Sequence, residues 1–133
     1  MPSLDTNVLV RFLFKGDRSE SAAAVRLIKR WASSGRAIFV PVTVFLELEW
    51  VLRSRFELAK PDVIHALSSL LSAKELSFES ETAIELALGR YGKRSTEFPD
   101  CLHAALAAIA GHAPLWTLDR AAAQAEGVEL LRT

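Results

Sequence analysis

Apolar positions along the chain fall into short runs whose spacing switches between the strand period of two and the helix period of 3.6. Ser3-Leu4-Asp5 leads directly into Val8, Leu9, Phe12 and Leu13, spaced as one helix face, so the pattern predicts a short strand followed by a helix. A second helix is predicted from about Ser19 to Ala32, with Ala22, Val25, Ile28 and Ala32 inward, Arg26, Lys29 and Arg30 outward, and Gly35 as its stop. Ala37 to Val40 reads as a strand ended by Pro41, after which Val44, Leu48, Val51 and Leu52 resume helical spacing. Pro61 and Asp62 suit the first turn of another helix carrying Val63, Leu67, Leu70 and Leu71, and Leu76 to Glu79 suits a strand. Ala83, Leu86 and Ala87 mark the next helix, and Pro99 opens one that runs up to Gly111. Pro114 to Leu118 and Val128 to Leu131 read as strands around a short Ala-rich helix.

Strands alternating with helices predict an α/β fold, because parallel neighbours need helical crossovers and are buried on both faces. The expectation is a central parallel sheet of about five strands covered by helices on both faces. No repeat or linker interrupts the pattern, and 133 residues make about one domain, so residues 1–133 are expected to form a single domain.

Half of the residues are hydrophobic and 24% are charged, which excludes wholesale disorder. Lys and Arg total 16 against 16 acids, so net charge marks no polyanion binder and any nucleic-acid contact must be a local patch. The single cysteine, Cys101, is compatible with a reducing compartment. An export signal is not expected, since Asp5, Arg11 and Lys15 break the early apolar stretch. The aliphatic run from Ala104 to Ala110 is far shorter than the ~20 residues that cross a bilayer. A soluble cytoplasmic protein is therefore expected.

In open α/β sheets, ligands bind beyond the carboxyl ends of the strands. Four acids fall there: Asp5 after the first strand, Glu47 in the helix after the second, Asp100 at the start of the Pro99 helix, and Asp119 after the Pro114 strand. Singly, Asp5 and Asp119 also suit helix N-caps, and Asp100 suits a first turn where acids complement the helix dipole. Glu47 has no cation three or four residues away, whereas Glu49 has Arg53 at i+4 and reads as a surface acid. On an apolar stripe Glu47 would need a positive partner, and so would four converging acids. An oxygen-only set points to Mg2+ or Mn2+ rather than zinc. His103, three residues after Asp100, is the histidine nearest an acid in sequence.

Leu4-Asp5-Thr6-Asn7, Leu46-Glu47-Leu48 before Trp50-Val51-Leu52, Phe98-Pro99-Asp100-Cys101-Leu102 and Thr117-Leu118-Asp119-Arg120 together resemble a PIN domain of the VapC toxin type. The resemblance runs in order over almost the whole chain. It implies that Asp5, Glu47, Asp100 and Asp119 are the catalytic, metal-binding acids, that Thr6 and Asn7 shape the end of the first strand, and that Thr117 supports the site through its hydroxyl. Glu97 stands where many relatives have Asp, and His103 where an aliphatic residue is frequent.

The same resemblance implies a metal-dependent endoribonuclease, the toxin of a toxin-antitoxin pair, forming a homodimer and held by a cognate antitoxin. Metal-activated water would attack the phosphodiester in line, leaving 5′-phosphate and 3′-hydroxyl ends. For RNA, the basic residues to consider are Arg90, Lys93 and Arg94 around Gly92, Arg120 beside Asp119, and Arg11 with Lys15 on one helix face. Trp31, Trp50 and Trp116 have apolar neighbours and are expected in the core or an interface. No DNA-binding motif is evident, so operator binding would belong to the partner. Two alternatives remain. A receiver-like phosphoacceptor domain would need an acid beside Asp5 and a late Lys, and none follows Lys93; a catalytically silent PIN-fold binding module would be expected to lose acids that are all present here.

Overall fold

The computed structural model describes residues 2–14, 16 and 18–133. Lys15, expected to share a helix face with Arg11, lies outside the described residues. The chain divides into two compact units, Met1–Glu79 and Ser80–Thr133.

In the first unit, Leu4 N–H donates to Phe39 O and Phe39 N–H to Pro2 O, which forms a parallel bridge between Ser3 and Phe39. Helix α1 (Thr6–Leu13) follows at once, because Asp5 caps it by accepting from Val8 N–H at 3.3 Å. Helix α2 (Arg18–Ala32) ends where Gly35 takes φ +76°, a left-handed conformation favourable to glycine, and donates to Ala32 O at 3.0 Å. The buried residues of α2 are Ser21, Ala24 and Ile28, whereas Ala22, expected inward, is exposed. In this Ala-rich stretch several faces are nearly equally apolar, and Ser21 enters the interior because its hydroxyl donates to Phe14 O.

Strand β1 (Ile38–Val40) stops at Pro41, and helices α3 (Val42–Ser54) and α4 (Lys60–Leu71) carry the chain over to β2 (Leu76–Phe78). β1 and β2 pair in parallel, with Ile38 opposite Leu76 and Val40 opposite Phe78. Pro41 offers α3 no side-chain cap, and Glu79 fills that role from the end of β2 by accepting from Val42 N–H at 2.8 Å. Phe45 and Phe78 meet edge to face at 5.7 Å, among buried Leu9, Leu48, Leu52 and Leu67.

The second unit opens with α5 (Glu81–Lys93) and α6 (Phe98–Ile109), which pack on one another through Ala-rich faces. Tyr91 and Phe98 are in edge contact at 5.5 Å. Strands β3 (Leu115–Thr117) and β4 (Val128–Leu130) pair in parallel on either side of a 3-10 turn, Ala122–Gln124.

The α/β alternation is therefore present, with element positions close to those expected. A five-stranded sheet is not seen among the described residues. Each unit holds one parallel pair of three-residue strands, and the first segment contributes a single bridge. Strands this short offer few ladder hydrogen bonds, Pro2 has no N–H to donate, and α1 takes over the backbone from Thr6. Among the described residues no helix is long and apolar enough to cross a membrane.

Candidate active site

In the first unit, the Thr6 side chain is buried at the start of α1 and its hydroxyl donates to Glu47 Oε1 on α3. Asp5 immediately precedes Thr6, so this hydrogen bond draws together the two acids expected to act in the N-terminal half. The cap uses only Oδ1 of Asp5, and Thr6 contacts only Oε1 of Glu47; the other oxygen of each carboxylate has no hydrogen-bond partner among the described residues. Asn7 lines a cavity of about 290 Å³ between α1 and α2 and hydrogen-bonds to neither acid.

The two α3 acids exchange the places expected of them. Glu47 is exposed, whereas Glu49 is fully buried. The inward stripe is Phe45, Leu48, Glu49, Val51 and Leu52, which puts Glu49 inside and turns Glu47 outward. The anticipated i+4 partner is present: Arg53 Nε donates to Glu49 Oε2 at 2.8 Å, and its Nη2 to Oε1 at 3.4 Å. Glu47 thus meets its need for a positive dipole through the Thr6 hydroxyl, and the cation-paired acid is the buried one.

In the second unit, Asp100 occupies the first turn of α6 and is half-buried. Its carboxyl is held above its ordinary value of 3.8, first by burial and then by the charges of Glu97 and Asp119, with His103 acting in the opposite sense. The fold brings Asp100, Asp119, Glu97 and His103 within electrostatic range of one another. Asp119 Oδ1 accepts from Ala121 N–H at 2.8 Å and Ala122 N–H at 3.4 Å. Its second oxygen has no hydrogen-bond partner among the described residues. Thr117 supports this loop differently from a ligand-holding hydroxyl: its Oγ1 accepts from Asp119 N–H at 3.0 Å and fixes the backbone.

Two of the basic residues considered for RNA are engaged in holding the loop before β4. Arg90 lies 3.4 Å from the Glu126 carboxylate, and Arg94 Nη1 donates to Gln124 O at 3.0 Å. Lys93 and Arg120 are exposed. Trp50 and Trp116 are exposed as well, which excludes the core position considered for them. Cys101 is buried beside the Thr96 hydroxyl.

Hard divalent cations take oxygen ligands, and the four acids supply only carboxylate oxygens. Asp100, whose charge the fold disfavours, has the character of a ligand that a cation would relieve. Among the described residues, neither unit by itself assembles three His, Cys, Asp or Glu side chains into a metal-holding cluster. Glu79, expected as the last residue of a strand, instead follows β2 and caps α3.

Residues 3–128 match the family model described as PIN domain. The chain is also 28% identical over 102 residues, 77% of its length, to a VapC ribonuclease of Aquifex aeolicus (strain VF5), covering 75% of that protein.

Proposed function

Because the chain belongs to the PIN domain family, we propose that it is a divalent-metal-dependent endoribonuclease of the VapC type, the toxin of a toxin-antitoxin pair. The family match extends through both compact units, which supports a single working domain over residues 1–133. It also displaces the receiver-like reading. Asp100 carries the proposal: a carboxylate in a helix first turn, burdened by burial and by two neighbouring acids, is suited to share a cation with them.

Asp5, Glu47 and Asp100 would be the principal residues to hold a divalent cation, with Asp119 in a supporting role at the same site. Thr6 holds Glu47 in one orientation through its hydroxyl, and its burial keeps that donor in place. Thr117 fixes the Asp119 backbone, while the Ala121 and Ala122 N–H groups restrain one carboxylate oxygen and leave the other for the site. When bound, Mg2+ or Mn2+ supplies charge neutralisation at the scissile phosphate and a lowered pKa for attacking water. Attack by water rather than by the RNA 2′-hydroxyl leaves 5′-phosphate and 3′-hydroxyl ends. Lys93 and Arg120 present exposed charge to the RNA backbone, with Arg90 and Arg94 contributing mainly by holding the nearby loop. A cytoplasmic homodimer bound by its antitoxin completes the reading.

The test is incubation of the purified protein with total RNA in Mg2+, in Mn2+ and in EDTA, with mapping of the ends. Divalent-dependent cleavage to 5′-phosphates, nearly abolished by Asp100→Asn, is the expected result. Cleavage that persists in EDTA refutes the proposal, and RNA binding without cleavage in either metal points instead to a silent PIN-fold module.

A further inference from the structure

On the outer face of the β3–β4 pair, Trp116 is 58% exposed. It borders an open cavity of about 790 Å³ whose lining includes Arg120, Gln124, Glu129, Leu131 and Arg132. That volume falls within the range of about 300–1,000 Å³ usual for sites that accept small organic groups. A large indole left in water is costly unless something covers it, and Leu118, two residues on, and Leu131, in the lining of the same cavity, are exposed too.

We infer that this surface is a stacking platform for an unpaired RNA nucleotide, with the Trp116 indole under the base and the Arg120 and Arg132 guanidiniums along the phosphates. The inference rests on the ribonuclease reading above and extends it to a substrate-contacting surface.

Charge complementarity favours this occupant. Arg120 and Arg132 form no ion pair or hydrogen bond among the described residues, unlike Arg90 and Arg94 in the same unit. A chain with no net charge has to gather such cations locally to hold a polyanion. Glu129 lies opposite Trp116 in register and repels phosphate from that flank, so the backbone path follows the two arginines. Position along the chain points the same way: Arg120 directly follows Asp119, and Trp116 precedes it by three residues. The platform and Asp119 therefore sit on one short stretch of chain, β3 and the turn after it. Aromatic stacking suits the holding of an unpaired strand, since every base has a π face.

The experiment measures binding of a fluorescein-labelled single-stranded RNA oligonucleotide to the full-length protein in EDTA by anisotropy, with cleavage of the same RNA in Mg2+ as a parallel readout. Trp116→Leu should weaken binding about tenfold or more, and Trp116→Phe should retain most of it, because stacking rather than apolar bulk is lost. Arg120→Gln and Arg132→Gln should each reduce the slope of log Kd against log salt by about 0.7. Circular dichroism melts should stay near wild type, because all three side chains are exposed. Wild-type affinity in Trp116→Leu overturns the inference while leaving the ribonuclease reading intact. A Trp116→Leu variant that binds RNA normally but changes mass in sedimentation assigns the face to a second copy of the chain, which also overturns it. Trp116-dependent RNA binding without any cleavage upholds the platform and removes the nuclease reading alone.

Discussion

Arg53→Met separates a buried ion pair from a surface one. Glu49 is completely inaccessible to solvent, and Arg53 reaches it with two contacts while its own side chain stays 37% exposed. Methionine keeps the apolar stem and deletes the guanidinium, so the buried carboxylate loses both of its contacts with Arg53. Breaking a buried pair from one side costs about 3–5 kcal/mol, whereas an exposed i,i+4 pair contributes about 0.3–0.5 kcal/mol. Because water reaches the outer part of Arg53, the lower end of the buried range applies, about 3 kcal/mol. For a chain of this size that corresponds to a fall in Tm of roughly 10 °C. Urea and thermal melts of wild type, Arg53→Met, Glu49→Met and the double variant form a complete cycle. The double variant should recover most of the loss, since apolar residues of similar volume can replace a buried pair without penalty. An Arg53→Met protein within about 0.5 kcal/mol of wild type would refute the reasoning and return Glu49 to the surface.

Three further outcomes follow from the site. In EDTA at neutral pH, Asp100→Asn should melt above wild type, because the fold disfavours the ionised form of Asp100. That form's penalty is fully present above the raised folded pKa and absent below the ordinary 3.8, so the gap between variant and wild type should close as pH falls through this window; a gap that widens contradicts the crowding. Thr6→Val removes the donor to Glu47 and retains shape, so cleavage should drop well beyond its stability loss of about 1 kcal/mol, with Thr6→Ser restoring activity; unchanged kcat/KM would dissociate Thr6 from the site. Light scattering should give a dimer, as an interface of ~1,200 Å² or more would require, and a monomer at high concentration counts against that reading.

Local chemistry made much of the chain legible. Asp5 caps α1 as its position suggested, Pro41 stops β1, Pro61 falls at the start of α4, and the Pro99 helix ends before Gly111. Such features depend on residues a few positions apart, and turn, cap and breaker preferences act at that range. The acids at Asp5, Asp100 and Asp119 could be selected because strand ends are visible in sequence. Their distant neighbours could not: that Asp119 helps raise the Asp100 pKa, and that Thr6 reaches Glu47 across 41 positions, depends on which elements pack together.

Sequence by itself determined the alternation of strand and helix, the boundaries of the helices and the carboxylate chemistry available after the strands. Tertiary structure decided the finer rotation of helices such as α2 and α3 about their axes. On α3 Leu48, Val51 and Leu52 face inward as their spacing suggests, while packing seats Phe45 and Glu49 beside them in place of Val44, with Arg53 as the partner of Glu49. The same holds for Arg90 and Arg94, whose charges looked free in sequence but are committed to Glu126 and Gln124, and for Trp116, whose apolar neighbours gave no sign that its ring would stay in water. A residue's type and local spacing set what it can do; burial and partners come from segments far along the chain, and their energies exceed the small local preferences that a linear pattern carries.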